Sequence, residues 1–182
     1  MSGKGDLRKE IRLNACDALF GQPIMDNVVR GVWVEIMIWL LLGQNDWEYV
    51  GRNWAPYDLR HKKSGTRLEV KQSAVRQPWS KERPASSRFD IAYRSGLWAD
   101  NGGKWEQNPG RQADIYVFAF HGSWEPLEKV DHRDPSQWQF LVLPATELPK
   151  AQKTINYNGL VGLGAISAIA DTLQEVVMAM IE

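Results

Sequence analysis

The chain has 182 residues, 43% of them hydrophobic, with 22 Lys and Arg balanced by 22 Asp and Glu. That length supports one domain with a full core, no Pro/Gly/Ser-rich tract divides it, and a formal net charge of zero argues for no partner until the distribution is read. A lone cysteine, Cys16, excludes a disulfide framework and a cysteine-based zinc site, and fits a reducing interior. The opening MSGKGDLRKE lacks an apolar h-region. The most apolar run, Val32 to Leu42, is interrupted by Glu35 and too short to span a bilayer, so a soluble, cytoplasmic protein with no membrane partner is expected.

In chain order, a helix is expected from about Asp6 to Leu19, with Asp6 as N-cap, Gly21 past the end, and Leu7, Ile11, Ala15, Ala18 and Leu19 in one stripe. After Pro23 a second, strongly apolar helix runs to Leu42 and stops at Gly43. On its wheel Val28, Gly31, Glu35, Trp39 and Leu42 share a narrow stripe, with apolar residues on nearly every other face. Glu35 must therefore be paired, protonated or near a metal, since a buried carboxylate without partners is too costly to keep. Arg12 and Arg30 are its candidate ion-pair partners.

Trp47 to Trp54 reads as a strand, and Tyr57 to Ala74 as a hairpin. Tyr57, Leu59, Leu68 and Val70 form one face by alternation; Asp58, Arg60, Arg67, Glu69, Lys71 and Ser73 form the other. Closing the turn on Ser64-Gly65, with Lys63 facing Thr66, sets Asp58 opposite Lys71 and Arg60 opposite Glu69. Two carboxylates about 4 Å apart repel by roughly 4 kcal/mol at an effective dielectric near 20, so a pair this close requires a cation or a shared proton. Mg²⁺ satisfies that need with hard oxygen ligands; Lys71 alone, in a solvated face laced by cross-strand ion pairs, also does.

Beyond Ala74, Arg76 to Ser87 is a polar loop, Phe89 to Trp98 a strand or extended arm, and Asp100 to Gly103 a turn. Ala113 to His121 has both faces apolar, as at a sheet centre. Asp114 at its start caps the strand or extends a metal site, the cap being favoured. Trp138 to Leu143 makes a further strand, and Gly162 to Ile181 reads as one helix with Leu163, Ile166, Ile169, Ala170, Leu173, Val176 and Val177 buried.

Asp58, ten intervening residues and then Glu69-Val70-Lys71 resemble the signature of the PD-(D/E)XK nuclease superfamily, with Tyr57 where that family often has Pro and Pro56 one residue earlier. Glu35 on the preceding helix resembles the additional Glu of many members. The resemblance covers Glu35 to Gln72. It implies an α/β (α+β) fold with a restriction-endonuclease-like core, a central mixed sheet whose antiparallel meander is flanked by helices. It also implies Mg²⁺, or Mn²⁺ in its place, held by Asp58, Glu69 and the Val70 carbonyl. Lys71 would position or deprotonate the attacking water, and Glu35 would orient the metal's water shell or bind a second ion.

The charge distribution agrees. From Arg60 to Arg94 there are ten Lys/Arg against three acids, a basic segment around a carboxylate cluster, interleaved with Trp79, Phe89 and Tyr93. Arg76, Lys81, Arg83 and Arg88 are the expected grips on a nucleic-acid backbone, DNA being the expected partner. Cutting both strands would call for two sites and hence a homodimer. His61, His121 and His132 show no metal-ligand spacing, although the last two could meet in space, and no Walker or Rossmann glycine pattern is present. A metal-dependent DNA endonuclease is the function expected, with a catalytically idle module of the same fold, binding nucleic acid or a protein partner, as its competitor.

Overall fold

A computed structural model describes residues 4–51, 55–84, 86–99 and 103–181. Helix α1 spans Lys4–Phe20 and touches the rest mainly through Phe20, whose ring lies 5.6 Å from that of Trp33. Its apolar stripe faces solvent: Leu7, Ile11 and Leu19 are all more than half exposed. Helix α2 spans Asn27–Leu42. Asp26 starts it by accepting the N–H groups of Val28 and Val29 at 2.9 and 3.2 Å, and Gly43, at a φ of 93° that other residues resist, ends it.

Among the described residues, ten strands follow from alternating or continuous apolar runs. A six-stranded mixed sheet contains β1 (Trp47–Tyr49), β2 (Leu59–His61), β3 (Arg67–Ala74), β7 (Ile115–His121), β8 (Trp138–Pro144) and β10 (Ile166–Ala168), in the order β1-β2-β3-β7-β8-β10. Only β3 and β7 are parallel. The crossover between them carries β4 (Arg88–Asp90), β5 (Leu97–Ala99) and β6 (Lys104–Glu106). β4 pairs with β9 (Thr154–Asn156), and β5 pairs with β6 as a separate hairpin. The antiparallel meander β1-β2-β3 is as expected. Of the strand expected from Trp47 to Trp54, residues 52–54 lie outside the described residues, as do 100–102 of the expected turn.

Period-two alternation gives the sheet two different faces. Val70, Val117, Phe140 and Val142 point to the side covered by α2 and by α4 (Leu173–Met178), where Val34, Ile38, Leu173 and Val177 complete a core. Tyr116, Phe118, Leu141 and Leu143 point to the other side, under Phe89, Ile91, Ile155 and Leu160 of α3 (Tyr157–Gly162). Strand β7 is buried on both faces, which explains its unbroken apolar run. No helix among the described residues is long and apolar enough to cross a membrane.

Two expectations are corrected. Residues 162–181 do not form one helix: α3 ends at Gly162, Gly164 turns the chain at φ 83°, β10 pairs antiparallel with β8, and only then does α4 begin. The exposed backbone groups of β8 require a partner strand, and that tertiary demand outweighs the helical spacing of the apolar residues. The hairpin register is also shifted. Leu59 faces Leu68 and Arg60 faces Arg67, because a wider turn is closed by Gly65 N–H to the His61 carbonyl at 2.9 Å and His61 N–H to the Thr66 carbonyl at 2.8 Å. His61 Nδ1 and Ser64 Oγ, 2.8 Å apart, brace that turn from inside. A slip of two residues keeps every side chain on its expected face while changing its neighbour. Asp58 therefore lies level with Glu69, not Lys71, and Arg60 pairs with Glu48 of β1 at 2.6 Å, not with Glu69.

Candidate active site

The carboxylates gather where β2 parts from β3. Asp58 precedes β2, with its N–H donating to the Leu68 carbonyl at 3.0 Å and its Oδ2 accepting from the Val70 N–H at 2.7 Å. The N–H and C=O of one strand residue point to the same side, so the Val70 carbonyl also faces the edge that Asp58 occupies. Glu35 reaches the same edge from α2, its Oε2 accepting from Tyr49 Oη of β1 at 2.9 Å. Neither Arg12 nor Arg30 is its partner. Glu69 and Lys71 alternate to the opposite face of β3 from Val70 and form an ion pair with each other.

Gly51 shows how close the first two acids come. A β-carbon at that residue would stand 3.1 Å from both Asp58 Oδ1 and Glu35 Oε2, so the two oxygens are separated by no more than twice that distance. Any side chain at this position would fill the gap between them. Burial, then the charges of Glu69 and Glu35, push Asp58 well above the usual carboxylate range, against the Val70 hydrogen bond. Burial also raises Glu35, partly offset by Tyr49 and reinforced by Glu69. Burial acts to lower Lys71, but the Glu69 charge and hydrogen bond outweigh it, so its pKa is raised and the side chain is a fixed ammonium. In this state it is not a base.

Three carboxylates and one ammonium thus sense one another across a strand edge, but they do not form a finished cage. Among the described residues no three His, Cys, Asp or Glu side chains are grouped as a metal centre. Asp114 is not part of the cluster: it grips Arg67 through both oxygens, at 3.0 and 2.6 Å, and ties β3 to the start of β7.

Glu69 and Lys71 open into a cavity of about 340 Å³ walled by Arg94, Arg111, Trp98 and Trp105, with Tyr116 at its base. Burial, then the Glu69 charge, push the Tyr116 hydroxyl up to about 12. None of these cavity residues follows from motif spacing. Tyr49 and Gly51 were closer to legible, since alternation from the buried Trp47 places all three on one side of the strand.

The four basic residues expected to grip a backbone are dispersed. Arg76 is largely buried, packed 4.3 Å over the Trp124 ring and 4.0 Å from Glu125. Lys81 and Arg83 are exposed on the loop after β3, and Arg83 borders a separate cavity of about 250 Å³ with Phe120 and Tyr157. Arg88 is exposed on β4 and shares a strand face with Asp90, which lines the cavity beside Glu69. Arg88 itself lines a separate cavity with Thr154 and Asn156, so none of the four lines the cavity beside Glu69. No family model, curated protein or solved structure matches the chain.

Proposed function

We propose that this chain is a Mg²⁺-dependent nuclease that hydrolyses phosphodiester bonds, a DNA endonuclease built on a restriction-endonuclease-like core. The observation that carries the reading is the approach of Asp58 Oδ1 and Glu35 Oε2 across the empty β-carbon position of Gly51, beside the Glu69–Lys71 pair. The donor set suits the ion: Mg²⁺ takes one or two carboxylates and leaves its other positions to water and phosphate. Asp58, Glu35 or Glu69, and the Val70 carbonyl are the residues that would hold it. When bound, the ion supplies Lewis-acid stabilisation of charge on the phosphate under attack.

The chain's own groups do the remainder. The Lys71 ammonium faces the cavity and neutralises a phosphate oxygen placed there. Tyr49 fixes the Glu35 carboxylate in one orientation through its hydrogen bond. The Val70 N–H does the same for Asp58, leaving Oδ1 turned toward the gap. Burial keeps water from screening these charges, so each is stronger than at the surface.

The competing reading, an idle module that binds nucleic acid or a protein partner through the same fold, is favoured by Glu69 being tied to Lys71 and by the lack of a three-residue metal group among the described residues. Calorimetry with Mn²⁺ and cleavage of supercoiled plasmid separate the two. The wild type should bind Mn²⁺ and nick DNA, and Asp58→Asn should lower cleavage by about a thousandfold. Gly51→Ala leaves every carboxylate present but fills the gap, and should weaken Mn²⁺ binding at least tenfold. Equal Mn²⁺ binding by all three proteins removes the nuclease reading.

A further inference from the structure

The β5–β6 hairpin holds two tryptophans that neither core uses. Trp98 and Trp105 stand directly opposite each other across the hairpin, with ring centroids 5.4 Å apart at 69°, and belong to neither buried cluster. They are 40% and 46% exposed, whereas Trp47 and Trp138 are buried. Gly96 is shaped around one of them. A β-carbon there would lie 2.7 Å from Trp105 Cζ2 and 2.3 Å from the Glu106 carbonyl, so the indole rests directly on bare backbone. Both rings wall the cavity into which Glu69 and Lys71 open.

Positive charge accompanies them. Arg111 donates from Nε, Nη1 and Nη2 to the backbone carbonyls of Ile91, Leu148 and Pro149 at 2.8 to 3.1 Å, lies 5.8 Å from the Tyr93 ring centroid, and forms no ion pair among the described residues, which leaves one Nη1 N–H for a ligand. Its guanidinium therefore reaches the cavity wall with its charge uncancelled. Arg94, also on the wall, is paired with Asp90 at 2.5 Å. Flat π-faces beside a fixed cation are what a nucleobase and its phosphate require. At about 340 Å³ the cavity is at the small end of ligand-sized clefts, room for one nucleotide and not for a duplex. Inside a duplex both faces of a base are covered by neighbours and only the end pairs show one, so an unpaired base presents a face to an indole far more readily.

We infer that the cavity is a stacking subsite for an unpaired nucleotide, and that the chain prefers single-stranded nucleic acid over duplex at this site. The inference rests on the nuclease reading for what is done to the strand, but not for its capture. Trp98 and Trp105 receive the base, Arg111 receives the phosphate, and the neighbouring phosphate falls toward Lys71.

The test is fluorescence anisotropy of a 5′-labelled twelve-residue oligothymidylate, and of a labelled blunt duplex of the same length, with the full chain in EDTA so that no metal chemistry intervenes. The wild type should bind the single strand at least tenfold more tightly than the duplex. Trp105→Ala should lower that ratio by about tenfold, and Trp105→Phe should restore most of it. Trp98→Ala, with a far-ultraviolet dichroism check on folding, provides a second variant should the first disturb the hairpin. Equal affinity for strand and duplex, or a ratio unmoved by either alanine, overturns the inference. Displacement of the oligomer by thymidine monophosphate at equal nucleotide concentration overturns the strand in favour of a free nucleotide. The two readings fail separately: tryptophan-dependent strand capture without Mn²⁺ cleavage sinks only the nuclease, and duplex cleavage without strand preference sinks only this subsite.

Discussion

Two clusters of buried polar groups flank strand β3, and they are built on opposite plans. One is the acid cluster of Glu35, Asp58 and Glu69, where like charges are held near each other beside an open cavity. The other surrounds Arg30, which is completely buried and forms no ion pair with a carboxylate among the described residues. Its guanidinium instead donates to Gln72 Oε1 at 2.7 Å, Gln77 Oε1 at 2.9 Å, Asn27 Oδ1 at 3.0 Å and the Met25 carbonyl at 3.1 Å. Burial lowers its pKa to about 10, with Asp26 opposing, so it stays charged at neutral pH.

Beside it His121 and His132 are packed with their ring centroids 4.8 Å apart. His132 Nδ1 accepts from the Met25 N–H, which requires a neutral ring; burial lowers the pKa of His121, while its hydrogen bond from Nε2 to the Asp131 carbonyl acts the other way. None of these residues lines the cavity beside Glu69. Burial of charge therefore does not by itself mark a site. The Arg30 guanidinium is satisfied by neutral oxygens and fastens α2 to β3 through Gln72, whereas the acid cluster holds like charges together beside a cavity. The first should contribute stability; the second should cost stability and supply chemistry.

Removing the Arg30 guanidinium tests this contrast most severely. Arg30→Met keeps the bulk but takes the donor from the Gln72 and Gln77 side-chain oxygens and the Met25 carbonyl, Asn27 Oδ1 keeping Gln72 Nε2, and should lower stability by about 3 kcal/mol in urea denaturation. A loss within a few tenths of a kcal/mol would show the network to be ornamental.

Acid should attack the same cluster next. Burial, with the charges of Arg30 and His121, depresses His132 from its ordinary 6.5 to about 3. Between those values the unfolded chain binds the extra proton, so the contribution is complete above pH 6.5 and is lost as pH falls toward 3. From pH 7 to pH 5 the loss should be about 2 kcal/mol. His132→Asn should flatten that slope in a series of urea melts across pH.

The acid cluster should show the reverse dependence, with a smaller amplitude. Asp58 is raised above its ordinary 3.8 in the folded state, so its contribution is present below that value and is lost as pH rises through the folded one. Asp58→Asn retains an acceptor for the Val70 N–H and relieves the repulsion. It should raise stability by about 1 kcal/mol at pH 8 and by nothing at pH 3, while lowering the proposed cleavage by about a thousandfold. A variant destabilised at pH 8 would place Asp58 among the structural groups.

What the chain declares locally is its element types and faces: the apolar helix ending at Gly43, the meander, the doubly buried β7, and the side of β3 on which Glu69 and Lys71 stand. Those follow from caps, turn residues and period two, which act between near neighbours. Tertiary structure alone decided the two-residue register of the Asp58 hairpin, the break of the C-terminal helix into α3, β10 and α4, and the meeting of Glu35 with Tyr49 and Asp58. It also decided that Arg76 packs on Trp124 while Arg111, remote from the motif, takes the cavity wall. Each of these depends on which distant backbone group needs a partner or which burial cost must be offset, and a linear pattern carries no record of such balances until the chain has closed on itself.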